Sequence, residues 1–328
     1  MRVDWSCSDG AANAARVAGI AADAGFDGIW FVEGPHDPIL ASAVAASTPA
    51  ALDIGTGIAV AFARNPMSVA IAANDVHQAS GGRLLLGLGS QVRAHITRRF
   101  SMPWSAPARR MREFVLALRA IWRCWDGDEP LDFRGEFYTH TLMTPFFDPG
   151  PSAVGRPRVL LGGVGAAMTA VAGEVADGFI CHPFTSARYV QERTLPALGA
   201  VGADFDMTLA PLVVSGATEE AMQAVADRVR QQVAFYASTP AYRPVLELHG
   251  YGQLHDELNR LSKIGRWREM AGLVDDALLD EVAVVAEPAR LASALAARYG
   301  GLLTRISLSS AYGLPLEVLA ATADALRE

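Results

Sequence analysis

Residues 52–89 read LDIGTGIAVAFARNPMSVAIAANDVHQASGGRLLLGLG, and this stretch decides the fold class. It contains two apolar runs, Ile54 to Phe62 and Leu84 to Leu88, separated by one helical pattern. Pro66 stands in the first turn of that helix, where proline is favoured, and Gly81-Gly82 marks its end. A strand, a crossover helix and a second strand normally give two parallel strands with both faces buried. The stretch therefore predicts an α/β fold with a parallel sheet.

The same alternation of strand and helix continues along almost the whole chain. Helical patterns separate the strands, and the last helix is predicted from Pro288 to Tyr299. Eight strands with intervening helices favour a (β/α)8 TIM barrel over the alternative, an open doubly wound sheet, and no GxGxxG follows the first strand. The predicted strands are Arg2 to Ser6, Gly28 to Val32, Ile54 to Phe62, Leu84 to Leu88, Arg158 to Leu161, Gly178 to Cys181, Thr208 to Val214 and Arg305 to Leu308.

We expect one domain over residues 1–328 with two insertions. Residues 126–157 are rich in Pro, Gly and aromatic residues and contain a possible hairpin around 133–137. Residues from about 240 to 280 form a polar, mostly helical insert. A hydrophobic content of 51% and a charged content of 19% allow a large core and argue against general disorder.

Charge, cysteines and the N-terminus limit the classes of partner and compartment. The net charge of −7 argues against a nucleic-acid partner. The widely spaced Cys7, Cys124 and Cys181 form no disulfide framework and no CxxC pair, which is typical of reduced thiols. The first residues lack an apolar signal core and no run is long enough for a membrane span, so we expect a cytoplasmic protein without a membrane partner.

Three titratable residues, Glu33, His36 and Asp37, follow the second predicted strand. The active site of a TIM barrel lies at the C-terminal strand ends, so residues that follow each strand are candidate catalytic or binding residues. Histidine titrates near neutrality and can donate a proton to a reacting group, which makes His36 a candidate acid. In the alternative interpretation, Asp37 only caps the next helix and His36 only forms a hydrogen bond across the loop.

The segment after the fourth strand is strongly basic. From Gln91 to Arg112 there are six arginines and no acidic residue. Arginine suits carboxylate and phosphate groups because its planar fork pairs with them bidentately. We expect one or two of the six to bind an anion. The alternative is a solvated basic face, above all for Arg109, Arg110 and Arg112.

A glycine-rich turn follows the fifth strand and opens a helix. It consists of Gly162, Gly163, Val164 and Gly165, and such turns expose backbone N–H groups that bind phosphate. His182 follows the sixth strand and could close this phosphate site, although a loop anchored by Pro183 is also possible. The irregular segment 139–147 either covers an apolar substrate or packs on the barrel rim.

Together these segments resemble the bacterial luciferase-like monooxygenase superfamily. Within it, the chain looks most like the coenzyme F420 (deazaflavin)-dependent oxidoreductases, so the resemblance implies the same barrel with a deep cofactor cleft at the C-terminal face. The segments that carry it are AGFDGIWFVEGPHDP (24–38), IGTGIAVAFARNP (54–66), SGGRLLLGLGS (80–90) and AGEVADGFICHPF (172–184).

The resemblance also implies roles for particular residues. It implies a homodimer, a non-prolyl cis peptide bond between Gly57 and Ile58 behind the cofactor ring, and His36 as the proton-donating histidine. Together the expected cofactor-binding residues are Glu33, Gly57, Ile58, Val60, Gly162, Gly163, Val164, Gly165 and His182.

The chain departs from its better-known relatives at two positions. Residues 90–92 (SQV) stand where the sugar-phosphate dehydrogenase members carry a catalytic glutamate, and Val60 stands where some relatives carry a hydroxyl. These departures argue against alcohol or sugar-phosphate oxidation by the mechanism of those members.

The sequence thus predicts a coenzyme F420-dependent oxidoreductase that acts on a small-molecule substrate by hydride transfer. His36 would move the accompanying proton, Gln91 or His95 would orient the substrate, and Arg93 or Arg98 would hold anions. The alternatives are an FMN-dependent monooxygenase and a non-catalytic cofactor-binding homologue. We expect no metal, because the HxH or HExxH spacing of a barrel hydrolase using His36, Asp37, His95 and His182 is lacking.

Overall fold

Eight parallel strands close into a barrel in the computed structural model, which describes residues 1–327. Each strand pairs with the next, β8 pairs with β1, and Ile54 and Gly55 pair with Leu84 and Leu85 to close the ring. The predicted (β/α)8 barrel is confirmed. The strands are β1 (Arg2–Cys7), β2 (Gly28–Phe31), β3 (Asp53–Thr56 with Ala59–Val60), β4 (Leu84–Gly89), β5 (Arg158–Gly163), β6 (Gly178–Cys181), β7 (Asp206–Leu209) and β8 (Arg305–Ser309).

Helices cover the outer face of the barrel and begin at residues suited to an N-terminus. Asp37 and Asn65 accept hydrogen bonds from backbone N–H groups of helices whose first residue is proline. The helices that cover the barrel are Ala11–Asp23, Pro38–Ala46, Pro66–Ala79, Pro107–Trp125, Ala166–Val175, the consecutive segments Ala187–Tyr189, Val190–Thr194 and Leu195–Leu198, then Leu291–Tyr299 and Leu316–Arg327.

Both insertions contain the predicted kinds of structure. Phe133–Arg134 and Thr139–His140 form the short antiparallel hairpin expected near 133–137. A second group of buried apolar side chains joins Glu219–Ala237 to the later insert and is separate from the main core. The one-domain organisation stays a prediction. The insert helices are Arg243–Leu248, Gly252–Lys263, Trp267–Ala271 and Asp276–Val282, and single turns occur at Ala61–Ala63, Pro240–Tyr242 and Pro288–Arg290.

Three predictions of secondary structure were wrong in detail. The third strand is interrupted at the Gly57-Ile58 bond and ends at Val60 rather than Phe62. The seventh ends at Leu209, because Pro211 has no N–H to donate to a ladder, and Leu212–Val214 pairs instead with an unpredicted strand, Ala283–Val285. The chain also continues beyond the expected last helix into Leu316–Arg327.

A buried ion pair fills the N-terminal end of the barrel. Arg305 donates from Nε and Nη2 to the two oxygens of Asp4, each at 2.8 Å, and from Nη1 to Asp53 at 2.8 Å. Trp30 Nε1 donates to Asp4 as well, at 2.8 Å. A Cβ at Gly28 would lie 2.7 Å from Asp4 Oδ1, so glycine at this position leaves room for the pair.

No helix in the described part of the chain is both long and apolar enough to cross a lipid bilayer.

We expect Arg305→Met to lower the free energy of unfolding by about 3–5 kcal/mol, because it leaves Asp4 buried without its partner. The matched control is Arg2→Met, since Arg2 is largely exposed and pairs with the same Asp53. That variant should lose less than about 1 kcal/mol. Urea unfolding followed by tryptophan fluorescence measures the free energy of unfolding of both variants. Equal small losses of this free energy would contradict a major contribution of the buried pair to stability.

Candidate active site

A cavity of about 1010 Å³ opens at the C-terminal ends of the barrel strands. Trp30, Ile180, Thr208 and Ser307, which belong to four different barrel strands, line it. Ligand pockets commonly have volumes of about 300–1,000 Å³. The cavity is therefore large enough for a cofactor with a second small molecule beside it, and it lies where TIM barrels place their chemistry.

Ile58 forms one wall of this cavity, at the break in β3. The Gly57-Ile58 peptide bond is cis, as the sequence resemblance predicted. A Cβ at Gly162 would lie 2.7 Å from Ile58 Cγ2, and one at Gly89 would lie 2.8 Å from Cγ1. The side chain of Ile58 therefore lies across the ends of β4 and β5 in space that exists only because both positions are glycine.

A network of charged side chains supports the backbone behind Ile58. Glu33 accepts from the Val60 N–H at 2.6 Å and from Arg64 at 2.8 Å. Arg64 also donates to Asp37 at 2.6 Å. Burial alone would raise the pKa of Asp37, but Arg64 and the amides of the next helix hold it below its usual range. Asp37 is thus the helix cap of the alternative interpretation, while Glu33 both lines the cavity and fixes the turn at Val60.

The predicted phosphate turn lies along the edge of the cavity. Gly162, Gly163, Val164 and Gly165 all line it, followed by the first residues of the helix Ala166–Val175. Gly165 has φ +86°, and no side chain caps the helix. The first backbone N–H groups of a helix have no partner within it and carry its positive dipole end, so this turn can receive an anion.

A smaller cavity of about 230 Å³ adjoins the same turn. Arg193, from the segment Val190–Thr194, lines it together with Gly163, Gly165 and Thr185. Within residues 1–327, no carboxylate lies within 4 Å of the Arg193 guanidinium. Arg193 was not predicted as a site residue. It lies eleven residues beyond His182, and only the folding of that segment brings it to the turn.

His182 and Tyr242 form a hydrogen-bonded pair in the cavity wall. The Phe184 N–H donates to His182 Nδ1 at 3.0 Å, so the neutral ring carries its hydrogen on Nε2. Nε2 therefore donates to Tyr242 Oη at 3.0 Å, which leaves the Tyr242 hydroxyl proton for another acceptor. Burial lowers the pKa of His182 to about 3 and raises the pKa of Tyr242.

The hydrogen bonds of His182 leave neither ring nitrogen free for the predicted contact with phosphate. Both ring nitrogens already have partners, and the ring packs against Tyr236 and Tyr242 with centroid distances of 4.6 and 4.4 Å. The contact with phosphate stays a prediction. In the structure, His182 donates a hydrogen bond to the Tyr242 hydroxyl oxygen, so the Tyr242 hydroxyl must donate its proton elsewhere.

The structure brings some predicted residues to the cavity and leaves others outside it. Gln91 lines the cavity, and its side chain accepts from the neighbouring Val92 N–H at 2.9 Å. His36 and His95 are exposed and do not line it, and the His36 ring packs over Gly10. Val60 is buried in the barrel wall. The catalytic roles predicted for His36 and His95 therefore gain no support from these positions.

Several aromatic side chains that line the cavity were not predicted as site residues. Trp30 and Trp104 come from the first half of the chain, Tyr236 and Tyr242 lie six residues apart, and Tyr312 follows the last barrel strand. Aromatic residues are usually core residues, so the sequence alone could not distinguish aromatic residues that line the cavity from those that pack in the core. Among residues 1–327, no three His, Cys, Asp or Glu side chains come together as metal ligands would.

Comparison with known proteins agrees with the barrel and its cavity. Residues 4–305 match the profile of the luciferase-like monooxygenase family, and the chain belongs to this family. An uncharacterised protein of Mycobacterium tuberculosis (strain ATCC 25618 / H37Rv) is 49% identical over 313 residues, 93% of this chain and 92% of the relative. A putative coenzyme F420-dependent oxidoreductase of the same strain is 26% identical over 301 residues, 84% of each chain.

Solved structures show the same fold. The coenzyme F420-dependent tetrahydromethanopterin reductase from Methanopyrus kandleri superimposes with a TM-score of 0.79 at 16% identity, over 99% of this chain and 98% of that one. At this identity the likeness shows the barrel architecture.

We expect His182→Gln to weaken the pH dependence of stability. Unfolded histidine has a pKa of about 6.5, so as the pH falls below 6.5 the unfolded chain binds a proton that folded His182 does not, and stability is lost. At pH 5 this contribution is about 2 kcal/mol. Urea unfolding at pH 7.5 and pH 5 should therefore show a smaller difference in the variant. The same difference in both proteins would contradict a neutral, buried His182.

Proposed function

We propose that this protein is a coenzyme F420-dependent oxidoreductase that transfers a hydride between the cofactor and a small organic substrate. The observation that carries the proposal is the cavity that extends from Trp30 and Ile180 in the barrel to the uncapped helix start at Ala166. The 26% identical relative, named a putative coenzyme F420-dependent oxidoreductase, supports the choice of cofactor within the family.

The residues present fit a cofactor with a ring at one end and a phosphate at the other. The backbone N–H groups after Gly163 and the Arg193 guanidinium would hold the phosphate, and Ile58 would support the ring. When bound, a deazaflavin supplies two electrons as a hydride or accepts them. The protein's part is to hold the reactants close together and away from water.

Two side chains of the cavity can take part in binding and proton movement around a substrate. The Tyr242 hydroxyl has a proton to donate, and burial keeps that hydroxyl protonated by raising its pKa. Gln91 presents an amide at the opposite, β4 side of the cavity and can orient a polar group of the substrate. His182 acts on Tyr242 rather than on the substrate.

We expect the purified protein to bind coenzyme F420, measured by quenching of cofactor fluorescence, and Arg193→Ala to weaken this binding about 10- to 100-fold. The expected size follows from the loss of charge-assisted hydrogen bonds to phosphate. Arg188→Ala is the matched control, because Arg188 lies in the preceding segment, Ala187–Tyr189, but is exposed and paired with Glu192 at 2.8 Å.

FMN is titrated in parallel. Tight binding of FMN without a response to coenzyme F420 would contradict the proposal and favour the FMN-dependent monooxygenase. Binding of coenzyme F420 with no hydride transfer to any compound of a broad substrate panel would favour the non-catalytic homologue.

We also propose that the protein is a homodimer. The segment after the hairpin exposes Leu142, Phe146 and Phe147, with exposed fractions of 76%, 88% and 69%. Phe146 and Phe147 do not line the cavity, whereas Met143 of the same segment is partly buried against the main core, as the packing interpretation expects. Exposed apolar patches on a folded chain often mark protein–protein contacts, and a second copy is the partner we propose.

Light scattering should give twice the chain mass of 34.8 kDa for the wild type. The double variant Phe146→Ser/Phe147→Ser should shift the mass toward one chain. Phe235→Ser, which changes a half-exposed phenylalanine elsewhere on the surface, should leave the dimer intact. A monomeric wild type, or a dimer that the double variant does not weaken, would contradict the proposal.

A further inference from the structure

Two arginines line the cavities at the barrel mouth, Arg193 in the smaller cavity and Arg93 in the larger one. The proposed function assigns Arg193 to the cofactor phosphate and leaves Arg93 without a role. In the described part of the chain, the Arg93 guanidinium has no carboxylate within 4 Å and donates no hydrogen bond. A guanidinium has five N–H donors, so Arg93 can bind an external acceptor without breaking a contact of its own.

The other arginines of the basic segment already have partners or lie away from the cavity. Arg109 and Arg112 pair with Glu136 and Glu174, which agrees with the solvated-face interpretation for these two. Arg110 donates to Tyr138 and to the Pro103 carbonyl. Arg99 donates to the Gly34 carbonyl at 2.7 Å, and Arg98 is exposed outside the cavity. Of the six, Arg93 is the one that the fold places at the cavity.

Carboxylates do not cancel the charge of Arg93 inside the cavity. Glu33 lines the cavity but is neutralised by Arg64 at 2.8 Å. Asp9 also lines the cavity and keeps its negative charge, because its donor, Asn13 at 3.1 Å, is neutral, but Asp9 lies more than 4 Å from the Arg93 guanidinium. His182 is uncharged because of its burial. An anion that enters from the β4 side therefore meets the Arg93 guanidinium, which has no carboxylate within 4 Å.

We propose that Arg93 forms an anion subsite for the substrate, which carries a carboxylate or a phosphate group. The inference rests on the proposed function. That function places the cofactor phosphate at the phosphate turn, just before Ala166, and so leaves Arg93 for the second reactant. Arg93 follows β4, next to Gln91, whereas the phosphate turn follows β5, so the two anions bind at separate sites on the rim. The planar fork of arginine suits either group bidentately.

The test uses inorganic phosphate as the probe, titrated by calorimetry into the full-length wild type, Arg93→Ala and Arg98→Ala. Each titration is run without cofactor and again with saturating coenzyme F420, and the affinity for coenzyme F420 is measured separately. Arg98→Ala removes the same charge from the same loop outside the cavity. We expect Arg93→Ala to weaken phosphate binding to the cofactor-loaded protein about 10- to 100-fold. Arg98→Ala should change it less than about twofold, and neither variant should alter coenzyme F420 binding.

Four results would overturn the inference. The first is that phosphate does not bind the wild type, and the second is that it binds Arg93→Ala as tightly as the wild type. The third is that Arg98→Ala weakens phosphate binding as much as Arg93→Ala does, which would indicate a diffuse basic field. A loss of coenzyme F420 affinity in Arg93→Ala would instead make Arg93 a cofactor contact. If no protein binds coenzyme F420, the proposed function fails, and the titrations without cofactor still decide whether Arg93 binds an anion.

Discussion

Closure of the sheet between β3 and β4 is the interaction on which the rest of the structure depends. Pairing of Ile54 with Leu84 and of Gly55 with Leu85 completes the ring, so every second side chain must point into a narrow interior. The interior is filled in layers. The ion pair of Asp4 and Arg305 lies at the N-terminal end, and a small apolar cluster of Trp30, Leu85, Leu160 and Ile180 lies above it.

The cavity exists because the next inward positions lack side chains. On β4 the residues after Leu85 that point inward are Gly87 and Gly89, and on β5 the residue after Leu160 is Gly162. Ile58 occupies part of the space that Gly89 and Gly162 leave. The rest stays open toward the rim, where the loops after β4, β5 and β6 meet. The open space thus follows from a change from large to small residues along β4 and β5.

Electrostatics then limit what the cavity can bind. Arg64 pairs with both Glu33 and Asp37, so these two carboxylates are neutralised, whereas Asp9 keeps its charge at the cavity. Burial keeps the His182 ring neutral by lowering its pKa. The positive groups that line the two cavities, Arg93 and Arg193, have no carboxylate partner among the described residues, so an acidic chain presents a rim suited to anions.

The sequence by itself determined the barrel, the start of the helix at Pro66 and the glycine-rich turn before Ala166, because these depend on local features: buried apolar runs, proline at a helix start, and consecutive glycines. It did not reveal the end of β7 at Leu209 or the pairing of Leu212–Val214 with Ala283–Val285, since such pairing joins segments about seventy residues apart. Only the tertiary structure decided which side chains reach the cavity. His36 and Arg93 both follow barrel strands, yet only Arg93 lines the cavity, because loop conformation and packing, rather than position in the sequence, set where a side chain ends.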